Sequence, residues 1–328
     1  MKKSNLFKIA ALSGAAVLLM LTESCKDAKK AETATPVETE TVAATAEPFF
    51  ELSLAQWSLH KMILDDGVDP YSFAEKAKGW GFDGLEYVSQ LYKDLEKADY
   101  SPESMAAFVE KCNAESKKHG LKNVLIMVDR QGDLATSNAS DRKKAVENHY
   151  KWVDAAAAMG CTSIRVNLNG SDDAEQWTAN AVDGLTQLAT YAKEKNINVI
   201  VENHGGLSSD GAKLAAVMEK VGMENCGTLP DFGNFCITRE ANGCAEEYDK
   251  YKGIKELMPY AKGVSAKSHD FDSEGNETDI DYVRVLQLVK DAGYDGYIGV
   301  EYEGSVLGEE AGILATKELL LKAAKEVE

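Results

Sequence analysis

The sequence predicts an α/β chain of the (β/α)8 TIM-barrel class, and three observations carry that expectation. Short apolar runs recur after residue 50, amphipathic stretches separate them, and Gly or Asn stops mark the joints. The strand candidates are Leu52–His60, Gly84–Val88, Asn123–Val128, Ser163–Asn169, Asn198–Asn203, Gly227–Asp231, Gly263–His269 and Tyr297–Tyr302. Helical periodicity lies between them, as in Ser101–His119, Ser140–Met159, Thr178–Lys195 and Asp279–Ala292. Strands that are apolar almost throughout, rather than alternating, are buried on both faces, which implies parallel strands covered by crossover helices. The stops at His119-Gly120, Met159-Gly160 and Lys195-Asn196 place residues tolerant of positive φ at helix ends. A barrel of about 250 residues fits the stretch available. An open doubly wound sheet would carry a G-x-G-x-x-G turn after its first strand, and Gln56-Trp57-Ser58-Leu59-His60 has none.

In chain order, residues 1–25 read as a signal peptide. Lys2, Lys3 and Lys8 flank an apolar run from Ile9 to Leu21, shorter than the roughly 20 residues that span a bilayer. The run ends in Leu21-Thr22-Glu23-Ser24-Cys25, a lipobox-like arrangement with Ser24 before Cys25 and with Glu23 where a small residue is usual. Residues 26–48 are Ala, Thr, Glu and Lys with hardly an aromatic, so they bury too little to offset their ordering entropy and are expected to be a disordered tether. The expectation is therefore an exported bacterial envelope protein, periplasmic or on the outer membrane, touching the membrane only through lipid on Cys25. Residues 49–328 form the barrel. The remaining cysteines, Cys112, Cys161, Cys226, Cys236 and Cys244, match neither a disulfide framework nor a zinc site, and Cys236–Cys244 is the one pair spaced for a bridge. A net charge of -18 argues against nucleic acid and anionic lipid as partners and favours a neutral or cationic small molecule.

Barrel active sites form at the C-terminal strand ends. Here the fifth strand ends in Val201-Glu202-Asn203-His204 and the sixth in Pro230-Asp231-Phe232-Gly233-Asn234. The seventh ends in Lys267-Ser268-His269-Asp270 and the eighth in Val300-Glu301-Tyr302-Glu303. A carboxylate inside an apolar strand is costly unless something compensates it. Four successive strands offering Glu202, Asp231, His269 and Glu301 describe a site for one hard to borderline divalent ion, Mn²⁺ first, with Mg²⁺ or Co²⁺ as alternatives. Around them, Glu86, His60, Trp57, His204, Lys267 and Asn169 are candidates for substrate binding, with Asn167 beside Asn169. A barrel-mouth salt bridge, core packing or turn chemistry accounts for several of these equally well.

These residues give the segment from Leu52 onward a resemblance to the xylose isomerase-like TIM-barrel superfamily, the sugar phosphate isomerase/epimerase group. The resemblance implies one divalent metal held by Glu202, Asp231, His269 and Glu301. It further implies that Glu202 and Glu301 face opposite sides of a sugar, one taking and one returning a proton beside a metal-bound carbonyl. Many such proteins form homodimers, but no interface is marked in this sequence. Export and the acidic charge argue against a phosphorylated substrate, so a free sugar or keto-sugar is expected. Two other readings remain open: a lyase or dehydratase eliminating from a 3-keto-glycoside or keto-sugar, and a non-catalytic carbohydrate-binding lipoprotein. The histidine-rich metal cluster of the endonuclease branch does not suit a chain with 5 scattered histidines.

Overall fold

The apolar runs become strands almost where the sequence places them. The computed structural model describes residues 48–328; the signal segment, Cys25 and the tether up to residue 47 lie outside the described residues. The strands are β1 (Glu51–Ala55), β2 (Gly84–Val88), β3 (Lys122–Val128), β4 (Ser163–Val166), β5 (Asn198–Glu202), β6 (Cys226–Leu229), β7 (Cys236–Glu240), β8 (Gly243–Glu247), β9 (Val264–Ser268) and β10 (Tyr297–Tyr302).

All except β7 and β8 form one sheet in the order β6-β5-β4-β3-β2-β1-β10-β9, with every pairing parallel. The sheet closes on itself between β6 and β9. Parallel bridges join Thr228 to Ala261 and Asp231 to Ser265, and the amide of Ser265 donates to the carbonyl of Pro230 at 2.9 Å. The result is a (β/α)8 TIM barrel, as expected.

Between strands the chain forms helices with conventional ends. Ser101 and Asn138 cap Pro102–His119 and Ala139–Met159 by accepting from first-turn amides. Gly160 and Asn196 take positive φ where a helix gives way to the next strand. The helices turn apolar faces onto the sheet, and Trp152, Trp177, Leu185 and Leu286 are fully buried in that layer.

The first strand is shorter than expected. Gln56–Leu59 winds into a 3-10 turn and His60–Leu64 into a helical turn. The cause is local: the buried Gln56 amide donates to the carbonyl of Pro70 and to the hydroxyl of Tyr92, and its oxygen accepts from the amide of Val88. Those bonds hold the chain across the barrel mouth instead of along it. The exposed antiparallel hairpin β7–β8, inserted between β6 and β9, carries a Cys236–Cys244 disulfide. Cys112, Cys161 and Cys226 are buried free thiols.

Candidate metal centre

Inside the barrel, polar residues displace apolar ones at the level of the strand ends. Ser53, Glu86, Arg165, Glu202, Asp231, Ser265, Lys267 and Glu301 are all almost completely buried. A buried charge needs an opposite charge or hydrogen bonds, and here each finds them within the group.

Donor oxygens of Glu202, Asp231 and Glu301 lie within 4.8 Å of one another, which is metal-ligand spacing. Each is fixed from behind. The Oε1 of Glu202 accepts from the Asn234 side chain at 2.9 Å, and its Oε2 lies 2.8 Å from the Nε of Arg165. The N–H of Arg165 is not aimed at that oxygen, so the contact is an ion pair without a hydrogen bond and Oε2 keeps a free lone pair. Asp231 accepts at Oδ1 from the amides of Gly233 and Asn234, at 2.9 and 2.8 Å. Its backbone is clamped by Asn203, whose side chain accepts from the Asp231 amide and donates to the Asp231 carbonyl.

Ser265 bridges the cluster. Its Oγ is 2.6 Å from the Oδ2 of Asp231 and 3.0 Å from the Oε2 of Glu301. One hydroxyl has one proton to donate, so the two carboxylates compete for it. Consistently, burial raises both carboxyls above their ordinary range; the Lys267 ammonium opposes this, and the neighbouring glutamates add to it. Lys267 reaches from β9 into the same space. Its Nζ is 3.3 Å from Glu301, 3.3 Å from Glu303 and 4.0 Å from Asp231. Burial alone would lower its pKa, but these carboxylates hold it above the ordinary lysine value. Glu303 is held below its usual range: burial works the other way, and the Lys267 ammonium and the Trp57 N–H outweigh it.

On the opposite wall, Arg165 donates to Asp129 at 2.9 Å, and Asn167 donates to the same carboxylate oxygen at 2.7 Å. Glu86 accepts from the Ser53 hydroxyl at 2.6 Å, while its other oxygen has no partner. Its carboxylate lies over Gly299, where a Cβ would come within 2.4 Å of it and push it aside. Burial first, with Glu301 and Glu202 nearby, pushes the Glu86 carboxyl up to about 8 despite the Ser53 bond and Arg165.

Three of the four expected ligands therefore come together, and His269 is the correction. Its side chain is 47% exposed and lies outside the carboxylate cluster, with Nδ1 3.9 Å from Glu277. The reason is strand length. The inward positions of β9 are Ser265 and Lys267; the strand ends at Ser268, before alternation reaches His269, whose amide donates to Glu277 at 3.2 Å. The carboxylates thus face a hydroxyl and an ammonium where an imidazole was expected.

The other candidates are scattered around the mouth. Trp57 and His60 stack at 4.5 Å, with His60 beside Glu309 at 3.3 Å. His204 is exposed beyond β5. Asn169 is exposed and lines a cavity of about 610 Å³ with Asp172, Gly205, Gly206 and Arg239 of the hairpin. Arg165, Asp129, Ser265, Glu303, Asn203 and Asn234 are site residues that the sequence reasoning passed over. Arg165 carried a usable signal, a charge inside the apolar strand Ser163-Ile164-Arg165-Val166.

The donor set suits a hard divalent ion: three buried carboxylates, one with an oxygen free of hydrogen bonds.

Comparison with known proteins agrees with this geometry. The Xylose isomerase-like TIM barrel family model matches residues 74–323. A putative hydroxypyruvate isomerase of Mus musculus is 25% identical over 203 residues, which span 56% of this chain and 70% of the mouse protein. A Xylose isomerase-like TIM barrel protein from Mycobacterium smegmatis, solved in complex with magnesium, superposes with a TM-score of 0.60 at 16% identity, covering 84% of this chain and 97% of that one. The apo 3-keto-D-glucoside 4-epimerase of E. coli superposes with a TM-score of 0.62 at 14% identity, covering 82% and 98%. At such identities the two structures establish a shared fold. The carboxylate cluster adds a group that could hold a divalent ion. Taken with the match over most of its length, the chain belongs to the Xylose isomerase-like TIM barrel family.

Proposed function

We propose that this protein is an exported, divalent-metal isomerase or epimerase of a non-phosphorylated sugar or keto-sugar, with Glu202 and Glu301 as its proton-transfer pair. One observation carries the reading: Glu202, Asp231 and Glu301 converge from different strands into a buried donor set at the barrel mouth. Held by these three, a divalent ion supplies a Lewis acid that makes the carbon next to a sugar carbonyl more acidic. An all-oxygen set suits Mn²⁺ or Mg²⁺.

The chain's own groups divide the proton work. Glu202 is the base, because the Arg165 guanidinium stands 2.8 Å from its Oε2 and that oxygen has a lone pair free. Glu301, on the far side of the cluster, is the partner that returns the proton. Ser265 and Lys267 hold the Glu301 carboxylate from β9. The two glutamates stand on non-adjacent strands, β5 and β10, which lets a substrate carbon lie between them.

Among the described residues two cations reach the cluster, Arg165 and Lys267, and both are already paired with carboxylates. Neither is left for a phosphate, which supports a non-phosphorylated substrate. The Cys236–Cys244 bridge supports export, since disulfides persist in oxidising compartments. The lipid anchor on Cys25 rests on the sequence pattern.

Metal content of the purified protein tests the reading. Wild type is expected to retain one Mn²⁺ or Mg²⁺ per chain, and Glu202→Gln and Asp231→Asn to lose it; equal occupancy in all three contradicts the site. Incubation with 3-keto-glycosides then separates the reactions, because a retained aglycone means epimerisation and a released one means a lyase.

A further inference from the structure

We propose that Lys267 is an internal counter-ion that competes with the divalent ion for the carboxylates and makes way by moving onto Glu303. The inference rests on the metal reading of the cluster given above. The Lys267 side chain is 1% exposed, and its ammonium lies among Asp231, Glu301 and Glu303. Lys267 and Glu301 are also register partners on neighbouring strands, so the contact is built into the sheet. Two of the three carboxylates it touches belong to the metal donor set.

Three buried carboxylates cannot stay ionised together without a cation. In the absence of a divalent ion, the ammonium meets that need. A divalent ion held by the Asp231 and Glu301 carboxylates, at about 2 Å from its ligand oxygens, would lie within roughly 6 Å of Nζ. At that separation in a dry interior two cations repel strongly, so the ammonium must move as the ion enters. Its third partner shows where it can go. Glu303 lies outside the donor set, is 28% exposed and already stands 3.3 Å from Nζ. Lysine has the flexible stem that such a shift requires. The same side chain thus keeps the empty cluster folded and raises the metal concentration needed to fill it.

Calorimetric titration of Mn²⁺ into the metal-stripped full chain tests this, using wild type, Lys267→Met and Glu303→Gln. Lys267→Met is expected to bind about ten- to a hundredfold tighter than wild type. Its melting temperature without metal should fall, and its rise on adding Mn²⁺ should exceed that of wild type. Glu303→Gln, which takes away the refuge of the displaced ammonium, should bind about tenfold weaker. A lysine that merely supports the fold would weaken binding when replaced. If wild type binds and Lys267→Met binds no tighter, the competition is wrong and the metal site stands. If neither wild type nor any variant binds, the metal reading itself fails. Should Lys267→Met not fold, unchanged affinity in Glu303→Gln overturns the proposal by itself.

Discussion

Glu86 shows how one residue reports the state of the barrel interior. Its carboxyl is pushed up to about 8 by burial and by the nearby Glu301 and Glu202, against an ordinary value of 4.5. The folded state therefore binds a proton that the unfolded chain has released between those values. The stability it contributes is fully present below pH 4.5 and is lost as the pH rises through 8. Over that window, metal-stripped wild type should lose roughly 3 to 5 kcal/mol relative to Glu86→Gln, read from urea denaturation at pH 5 and pH 8.5. Parallel pH profiles for the two proteins would contradict the assignment. At this scale the sequence was informative wherever a charge interrupted an apolar strand: Glu202, Asp231 and Glu301 were legible for that reason. Arg165 shows the same signal, but a cation is no metal ligand and the pattern of ligands does not include it. His269 lies outside the cluster because β9 ends one residue before it, so the alternation that points Ser265 and Lys267 inward does not carry on to it.

Among the elements, the eight barrel strands were legible because burial on both faces leaves an apolar run with a clear start and end. Two departures have physical causes. The first strand gives way at Gln56, whose amide bonds to Pro70 and Tyr92 redirect the chain. The β7–β8 hairpin was invisible because its strands are mostly exposed and polar, with no core face to impose a pattern. Packing between β10 and β2 leads to a prediction at the same scale. A Cβ at Gly299 would press within 2.4 Å of the Glu86 carboxylate. Gly299→Ala should therefore cost about 1 to 3 kcal/mol in urea unfolding. Combining it with Glu86→Ala should recover part of that cost, because the two side chains contest the same space. Additive losses would place the strain elsewhere.

For the whole molecule, the candidate site is a product of barrel closure. Its carboxylates come from β5, the end of β6 and β10, which approach one another only because β6 and β9 join through the Asp231–Ser265 bridge. That bridge also brings Ser265 between Asp231 and Glu301. The fold class and the order of the carboxylates were readable because both follow from local patterns repeated along the chain. Lys267 was legible as a site candidate but its place among three carboxylates was not, because which cation reaches them depends on how the closed barrel aims its side chains. A net charge of -18 with both site cations paired fits a neutral substrate.

Solvent deuterium exchange tests the central claim most directly. The Mn²⁺-loaded protein, incubated in D₂O with free ketoses and 3-keto-glucosides, should introduce deuterium at the carbon next to the carbonyl while the carbon skeleton is retained. Exchange should cease when the metal is stripped and fall at least about a hundredfold in Glu202→Gln or Glu301→Gln. No incorporation from any sugar of the panel with the metal site filled, or exchange that persists when both glutamates are replaced, would contradict the account.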